Sequence, residues 1–453
     1  MSKQIDSTEI VESENSNGGS KRTICLCLVL FLTAVVIESL FLFVVLPSRY
    51  RVNDNDNYWK FYKPIAESII AGRGLVGTDG SIATTYPPGY PAVIATVFAL
   101  ADRIHVSREG MLDAFNISIT SLSCLMIFLI ARDTFGEKIA WLSWLLWVSY
   151  LPNLSTIIRP NSETPFILVL YFGIWVFLRA MRRNSKRGAF ATGLTIGLAS
   201  LIRPIDLFMP LVLGTAAFFH RAVAMRSRIL ITSLILAGYL ISVAPWETYV
   251  MFRTGDLIPL STNGPSGAVD GLLFVVAHDP GDGPLWVPAD VKDLGERVNF
   301  QRNEMRTTRG IANFVLKEAQ THPMALAKLL LVKMYRPWYG TATKRHDWAI
   351  LLLQLIYMPL GVAGLVLARR NHKEQAFEIR VFVSIIGDFW FMAFLVLPIF
   401  RYMVPPSALV MVFAAVAVDR ITTRSSLRWE DARSSESDEV RTGKEVELEQ
   451  MAL

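Results

Sequence analysis

Two carboxylates, Asp54 and Asp56, stand at the start of an aromatic segment that follows the first long apolar run. An acid at the boundary between water and lipid is a candidate functional residue, because charge is costly to place there without a role. Such a carboxylate could accept the proton of a substrate hydroxyl as a general base. The alternative is that both residues only end a helix in a solvated loop.

A further acid, Glu163, lies in the segment STIIRPNSETP. It could orient a substrate or tune the first acid. It could instead cap the following helix through its position after Asn161 and Ser162. His278 and Asp279 are a candidate acid–base pair in a later loop rich in Gly, Pro and Asp, where exposed histidines are more often without function.

Five arginines fall at the predicted outer ends of apolar runs. A guanidinium has a planar set of donors that matches phosphate oxygens, so these residues are candidates for holding a phosphate group. The alternative for each is a side chain that extends to lipid headgroups. Arg401 is the strongest candidate, because Arg401 and Tyr402 directly precede the last apolar run. The five are Arg159, Arg203, Arg253, Arg336 and Arg401.

Aromatic side chains surround the first pair of acids. Residues 58–71 have apolar and aromatic side chains, Tyr62 among them, close to helical spacing, which indicates an amphipathic helix at the membrane surface. The turn Tyr-Pro-Pro-Gly-Tyr-Pro follows and is rigid, since proline fixes φ. It would hold Tyr86 and Tyr90 at the headgroup layer, which amphipathic rings favour.

Composition places the chain in a membrane. The 453 residues are 52% hydrophobic, and the mean hydropathy is +0.38. The net charge of +6 does not indicate nucleic-acid binding, because the basic residues cluster in short loops between apolar runs. Cys25, Cys27 and Cys124 lie in apolar runs, so no disulfide framework is expected. We predict no cofactor, because the sequence has no nucleotide or metal motif. A divalent cation near the paired carboxylates stays open as an alternative, but the sparse ligand set does not indicate one.

Ten membrane spans are predicted, with both termini in the cytoplasm. Lys21 and Arg22 place the start of the first run there, and we interpret this run as an uncleaved anchor. The run from Tyr90 to Ile104 is predicted not to cross, since crossing would move three basic loops to the outside. The predicted spans are 24–46, 111–131, 139–157, 164–178, 189–202, 205–219, 229–250, 348–368, 381–399 and 403–418.

This all-α chain divides into five predicted parts. They are a disordered cytoplasmic tail (1–22), a membrane core (23–250) whose first outer loop (47–110) contains interfacial helices, a large outer loop (251–346), C-terminal spans (347–421) and a polar cytoplasmic tail (422–453).

The order of the motifs resembles a known superfamily. An acid after the first span is followed by Tyr62, Ala66, Gly72 and Gly74 in the pattern YxxxAxxxxxGxG, then by PPGYP, SETPF, GLASLIRP, APW with PLSTNG, and RY before the last span. Over residues 24–420 the chain is similar to the polytopic glycosyltransferases of the GT-C superfamily. The nearest group contains dolichyl-phosphate-mannose protein mannosyltransferases, aminoarabinose transferases and lipopolysaccharide-core transferases.

The resemblance implies inverting transfer of a monosaccharide from a polyprenyl phosphate to a glycan, lipid or protein acceptor, on the outer face of the cytoplasmic (inner) membrane. It implies that Asp56 or Asp54 is the base and that Glu163 is a second acid. The residues expected to contact substrate are Tyr62, Tyr86, Arg203, Arg253, Arg401 and Tyr402. Membrane lipid is the other expected partner, and nucleic acid is not expected.

The chain departs from its relatives at three places. Tyr58 stands where relatives usually have the acid, so the choice between Asp54 and Asp56 stays open. Tyr86 replaces a lysine of the aminoarabinose group, and Tyr249 and Val250 replace an Arg-Asn pair. Two other classes stay open as alternatives: a transporter or flippase of a lipid-linked or small polar substrate, and a non-catalytic scaffold.

Overall fold

The computed structural model describes residues 7–48, 55–276 and 287–423. Within these ranges the chain is helical, and the β pairing is limited to one isolated bridge between Val76 and Ile82. The predicted all-α fold is therefore confirmed. Asp54, His278 and Asp279 lie outside the described residues.

The described residues up to Thr254 form ten α-helices. A π-helical turn, Phe41–Val45, extends the first helix, and another, Tyr58–Tyr62, precedes the second. The helices are α1 Ser7–Leu40, α2 Lys63–Ile70, α3 Gly89–Arg103, α4 Arg108–Phe135, α5 Glu137–Val148, α6 Leu151–Ser155, α7 Glu163–Arg182, α8 Lys186–Ile202, α9 Met209–Phe218 and α10 Met225–Thr254.

Seven helices follow. A 3₁₀ turn, Phe400–Met403, leads directly into the last of them. They are α11 Asn263–Leu273, α12 Ala289–Phe300, α13 Thr308–Thr321, α14 Pro323–Tyr335, α15 Asp347–Asn371, α16 Ala376–Leu395 and α17, residues 404–423.

Among the described residues, six helices are long and apolar enough to cross a membrane, so the chain is an integral, multi-pass membrane protein. Each of the ten predicted spans overlaps a helix, but the count of ten stays a prediction. α8 has 17 residues and α9 has 10, whereas a span needs about 20. The six are Arg22–Val45, Arg108–Phe135, Glu163–Arg182, Met225–Thr254, Asp347–Asn371 and Phe400–Thr423.

The predicted span 139–157 is not one continuous helix. α5 ends at Val148, and a separate short helix, α6, starts at Leu151. Pro152 has no N–H to donate to the carbonyl of Val148, so the hydrogen-bond pattern of α5 cannot continue through it. Pro204 acts in the same way after α8, and the backbone of Arg203 is extended there (φ −153°).

Close packing of α8 against α10 fixes the end of α8. A Cβ on Gly193 would lie 2.0 Å from the Ile235 carbonyl oxygen, and a Cβ on Gly238 would lie 2.3 Å from that of Phe190. Small residues of this kind let two membrane helices approach each other at backbone distance. The position of Arg203, directly after α8, is set by this contact.

Two helices, α2 and α3, lie between α1 and α4, as predicted for the first loop. They share a buried cluster that includes Tyr58, Tyr62, Tyr90 and Phe98. α3 has 15 residues, or about 22 Å of helix, which is short of the roughly 30 Å hydrocarbon core. Between α10 and α15 the described residues form α11–α14, which pack around an apolar cluster of their own.

Candidate active site

The segment that carries Asp56 is tied to the loop before α7. The Asn55 side-chain amide donates a hydrogen bond to the Pro160 carbonyl (2.7 Å). The Asp56 side chain is 77% exposed and forms an ion pair with Lys60 (2.7 Å). Asp56 lines a cavity of about 330 Å³, called here the Asp56 cavity, together with Arg159, Glu163, Arg401 and neighbouring polar residues.

Asn161 organises the start of α7. Its side-chain oxygen accepts hydrogen bonds from the backbone N–H groups of Glu163 (3.0 Å) and Thr164 (3.2 Å). Its amide group donates to the Thr156 carbonyl (2.6 Å). The start of α7 is therefore capped by Asn161, and not by Glu163, for which capping was the alternative. The Glu163 side chain is left available for other contacts.

Glu163 is buried between two arginines. Arg401 donates to both carboxylate oxygens, through Nη2 to Oε2 (2.7 Å) and through Nε to Oε1. Arg203 forms an ion pair with Oε1 and also donates to the Ser162 hydroxyl (3.2 Å). Only 2% of the Glu163 side chain is exposed. Three residues predicted from separate motifs thus form one cluster of charge +1.

Arg401 faces two cavities. It lines the Asp56 cavity and a second cavity of about 380 Å³, called here the Tyr86 cavity. Its side chain is 44% exposed, so it can still contact a ligand. Arg203, Tyr62, Tyr86 and Tyr402 also line the Tyr86 cavity. Apolar side chains complete the wall of this cavity: Ile202, Ile205, Leu207, Leu260, Met392, Val396 and Leu397.

The tyrosines form the aromatic side of the Tyr86 cavity. The Tyr62 ring lies 5.1 Å from the Tyr86 ring and 4.8 Å from the Tyr90 ring. The Tyr86 hydroxyl donates to the Asn57 side-chain oxygen (3.3 Å). Burial raises the pKa of Tyr62 and of Tyr86, so both are neutral hydrogen-bonding groups at physiological pH.

The PLSTNG motif lines another side of the Tyr86 cavity, and the APW motif is hydrogen-bonded to it. The Trp246 indole donates to the Leu260 carbonyl (3.0 Å), and the Leu260 N–H donates to the Glu247 carboxylate (2.7 Å). The Ser261 hydroxyl donates to the Thr85 carbonyl (2.6 Å), next to Tyr86. Two distant motifs are thereby joined to the first loop.

Some predicted residues lie elsewhere. Arg253 is exposed at the end of α10, over the Tyr249 ring (5.8 Å), and lines neither cavity. Arg336 is buried and forms an ion pair with Asp347 (2.8 Å), which indicates a structural role. Asp54 lies outside the described residues. In the described part of the chain no group of three or more His, Cys, Asp or Glu side chains could hold a metal ion.

The sequence reasoning missed several polar residues of the two cavities. Asn55 and Asn57 flank Asp56, and their amide groups hold the loop and the Tyr86 hydroxyl. Ser261 had a signal, because it belongs to the PLSTNG motif. Asn55 and Asn57 belong to no motif in the sequence, and only their position beside Asp56 could have indicated them.

Part of the chain matches a known family. Residues 85–249 match the model of the dolichyl-phosphate-mannose-protein mannosyltransferase family. The matched part contains Tyr86, Glu163 and Arg203, whereas Asp56 and Arg401 lie outside it. None of the curated proteins matches the chain.

The whole fold is similar to solved membrane enzymes. An archaeal oligosaccharyltransferase from Archaeoglobus fulgidus, AglB, in complex with an inhibitory peptide and a dolichol-phosphate, matches with a TM-score of 0.54 and 16% identity over 90% of this chain and 52% of that chain. A structure of the A. fulgidus oligosaccharyltransferase tethered to an acceptor peptide matches with a TM-score of 0.53 and 14% identity over 89% and 50%. The chain therefore spans about half the length of these proteins.

A weaker likeness is to ArnT from Cupriavidus metallidurans bound to undecaprenyl phosphate. The TM-score is 0.40 at 13% identity, over 87% of this chain and 78% of that chain, which is too low to add to the fold assignment. The family match and the oligosaccharyltransferase likeness agree with each other. The fold is that of the GT-C membrane glycosyltransferases, and the resemblance seen in the motif order is confirmed.

Proposed function

We propose that the protein is a membrane glycosyltransferase that transfers a monosaccharide from a polyprenyl phosphate to an acceptor hydroxyl, with Asp56 as general base. The observation that carries the proposal is the position of Arg401, whose side chain lines both the Asp56 cavity and the Tyr86 cavity. A donor on one side and an acceptor on the other would meet at this residue.

The donor belongs in the Tyr86 cavity. Its apolar wall suits the first isoprene units, and Arg203 and Arg401 supply positive charge for the phosphate. This charge matters most as the phosphate departs, because negative charge then increases on its oxygens. The A. fulgidus enzyme was solved with a dolichol-phosphate, which supports a carrier of this class.

The acceptor belongs in the Asp56 cavity. Asp56 takes the hydroxyl proton, the acceptor oxygen forms a bond to the anomeric carbon, and the bond from that carbon to the phosphate oxygen breaks. The polyprenyl phosphate leaves as an anion held by the arginines. Attack from the side opposite the phosphate inverts the anomeric centre. Asp54 remains the alternative base.

Glu163 has a positioning role in this proposal. A carboxylate that accepts hydrogen bonds from one arginine and forms an ion pair with a second is a weak proton acceptor, because both neighbours stabilise its charged form. Its contribution is to hold Arg203 and Arg401 at the junction of the two cavities. The cluster of Glu163 and the two arginines keeps a net charge of +1, which is available to the phosphate.

The acceptor class and the membrane face belong to the proposal as well. We infer a glycan, lipid or protein acceptor at the outer face of the cytoplasmic membrane. The distribution of basic loops supports this placement, since they all fall on the other side of the predicted topology.

The test uses the purified protein in nanodiscs with radiolabelled polyprenyl-phosphate monosaccharides and a membrane extract as acceptor. We expect label to move to an acceptor and to stop moving in Asp56→Asn. Because Asp56 is exposed, this variant should fold normally. If Asp56→Asn keeps full activity and Asp54→Asn loses it, the base is Asp54. If the double variant keeps full activity, the proposed base chemistry is wrong.

A further inference from the structure

A groove runs along α9 and α16, away from the candidate active site. Its volume is about 430 Å³. The residues that line one wall come from α9 and the positions directly before and after it, and they recur at the spacing of one helix face. They are Phe208, Leu211, Val212, Thr215, Ala216 and Phe219. α16 supplies the other wall with Val381 and Ser384, and with Phe377 and Arg380 in the turn before them, called here the mouth of the groove.

The length of the groove fits one leaflet of a bilayer. Phe208 and Phe219 are 11 positions apart in the chain, which is about 16 Å at helical rise. Half of the roughly 30 Å hydrocarbon core is about 15 Å. At the end of the groove opposite Phe219, the rings of Phe208 and Phe391 lie 6.4 Å apart. An acyl chain of one leaflet therefore fits along it.

The mouth of the groove is basic. Arg380 also lines a second cavity, of about 290 Å³, with Arg369, His372 and Ile379. The nearby carboxylate Glu378 is occupied, because it accepts two hydrogen bonds from Arg182 (2.9 and 3.0 Å). In the part of the chain that the structure describes, neither Arg369 nor Arg380 has an ion pair with a carboxylate.

The same end of the groove lies at the predicted cytoplasmic face. Residues 369–380 contain four basic and two acidic side chains, and the loop 220–228 beyond α9 is basic as well. The His220 ring lies 4.1 Å from the Phe377 ring at this end, tilted by 47°. Basic pockets between membrane helices on this side suit anionic lipid headgroups.

We propose that the groove between α9 and α16 binds an anionic phospholipid of the cytoplasmic leaflet, with an acyl chain along α9 and the phosphate between Arg380 and Arg369. The long apolar wall of the groove favours a lipid over a free phosphate, and the two arginines favour a negatively charged headgroup. The site is independent of the proposed transferase activity.

Native mass spectrometry of the intact protein tests this site. The protein is titrated with phosphatidylglycerol or phosphatidylcholine of equal acyl chains. We expect phosphatidylglycerol to bind about tenfold more tightly, in line with charge-assisted hydrogen bonds to its phosphate. Arg380→Gln should remove this preference. Arg187→Gln removes one exposed positive charge from another predicted cytoplasmic loop and should keep it.

A second variant tests the apolar part. Ala216→Phe fills the groove without changing its charge and should weaken both lipids. The proposal is wrong if wild-type protein binds both lipids equally, if Arg380→Gln behaves like Arg187→Gln, or if Ala216→Phe changes nothing. Displacement of the lipid by excess inorganic phosphate would also overturn it, since the site would then bind free phosphate.

Discussion

Arg401 and Glu163 lie 238 positions apart in the chain and form a two-point, hydrogen-bonded ion pair at the start of α17 and α7. Arg203 contacts the same carboxylate from the end of α8. Three helix ends are therefore held together by one buried acid. The pair fixes the distance between the Asp56 cavity and the Tyr86 cavity, since Arg401 lines both.

Glu163→Gln should lower both stability and transfer. Removing one partner of a buried ion pair leaves the other charges uncompensated, which costs about 3–5 kcal/mol. We expect a lower thermal midpoint in detergent and at least a tenfold lower transfer rate. Glu109→Gln is the matched control, because Glu109 is exposed and its pair with Lys63 is long (3.8 Å). Equal effects of the two changes would refute the role given to Glu163.

Lys60→Gln should leave transfer intact. The pair between Lys60 and Asp56 is exposed on both sides, and such pairs contribute about 0–1 kcal/mol. If Asp56 is the base, removing its partner frees the carboxylate, so activity should be equal to or above that of the wild type. If Lys60→Gln lost as much activity as Asp56→Asn, the ion pair itself would be needed, and Asp56 would not act as an unpaired base.

Gly89→Ala should destabilise the first loop. A Cβ on Gly89, in the PPGYP turn, would lie 2.5 Å from the Leu201 carbonyl oxygen at the end of α8. Relief of this clash needs a backbone shift, and overpacking of this kind costs about 1–3 kcal/mol. The control is Gly387→Ala in α16, where a Cβ meets nothing within 4 Å. The control should be neutral or stabilising by up to about 1 kcal/mol, because alanine favours a helix. Thermal unfolding distinguishes the two.

Lys333 should make stability depend on pH in the alkaline range. It is buried in α14, where its ammonium donates to the Leu395 and Val396 carbonyls (3.4 Å each), and burial lowers its pKa to about 8. Between about pH 8 and the ordinary value of 10.5 the unfolded chain binds more protons than the folded one, so stability rises with pH.

The variant Lys333→Met should lose this rise. The full difference amounts to about 3 kcal/mol at 1.36 kcal/mol per pKa unit. Lys328→Met is the control on the same helix, since the Lys328 ammonium is partly exposed and pairs with Asp290. Thermal midpoints measured across the alkaline range check both variants. A wild-type curve that is flat or falls from pH 8 to 10 would contradict the assigned burial of the charge.

Local features of the fold could be predicted from the sequence. Apolar runs define the long helices because a bilayer requires about 20 such residues, and each predicted span overlaps a helix. The break at Pro152 was missed, although the missing N–H was visible in the sequence. Capping at the start of α7 was expected as an alternative for Glu163, but the side chain that caps it is Asn161, which accepts from N–H groups two and three residues further on.

The sequence by itself determined that the chain is an all-α membrane protein, that two helices lie in the first loop, and the order of the motifs that resemble the GT-C superfamily. It could not determine which arginines share a site. Arg253 and Arg401 both follow or precede apolar helices, yet only Arg401 reaches Glu163. That choice depends on how α7, α8 and α17 pack, since an ion pair across 238 residues has no local signal. Only the tertiary structure places one guanidinium between two cavities.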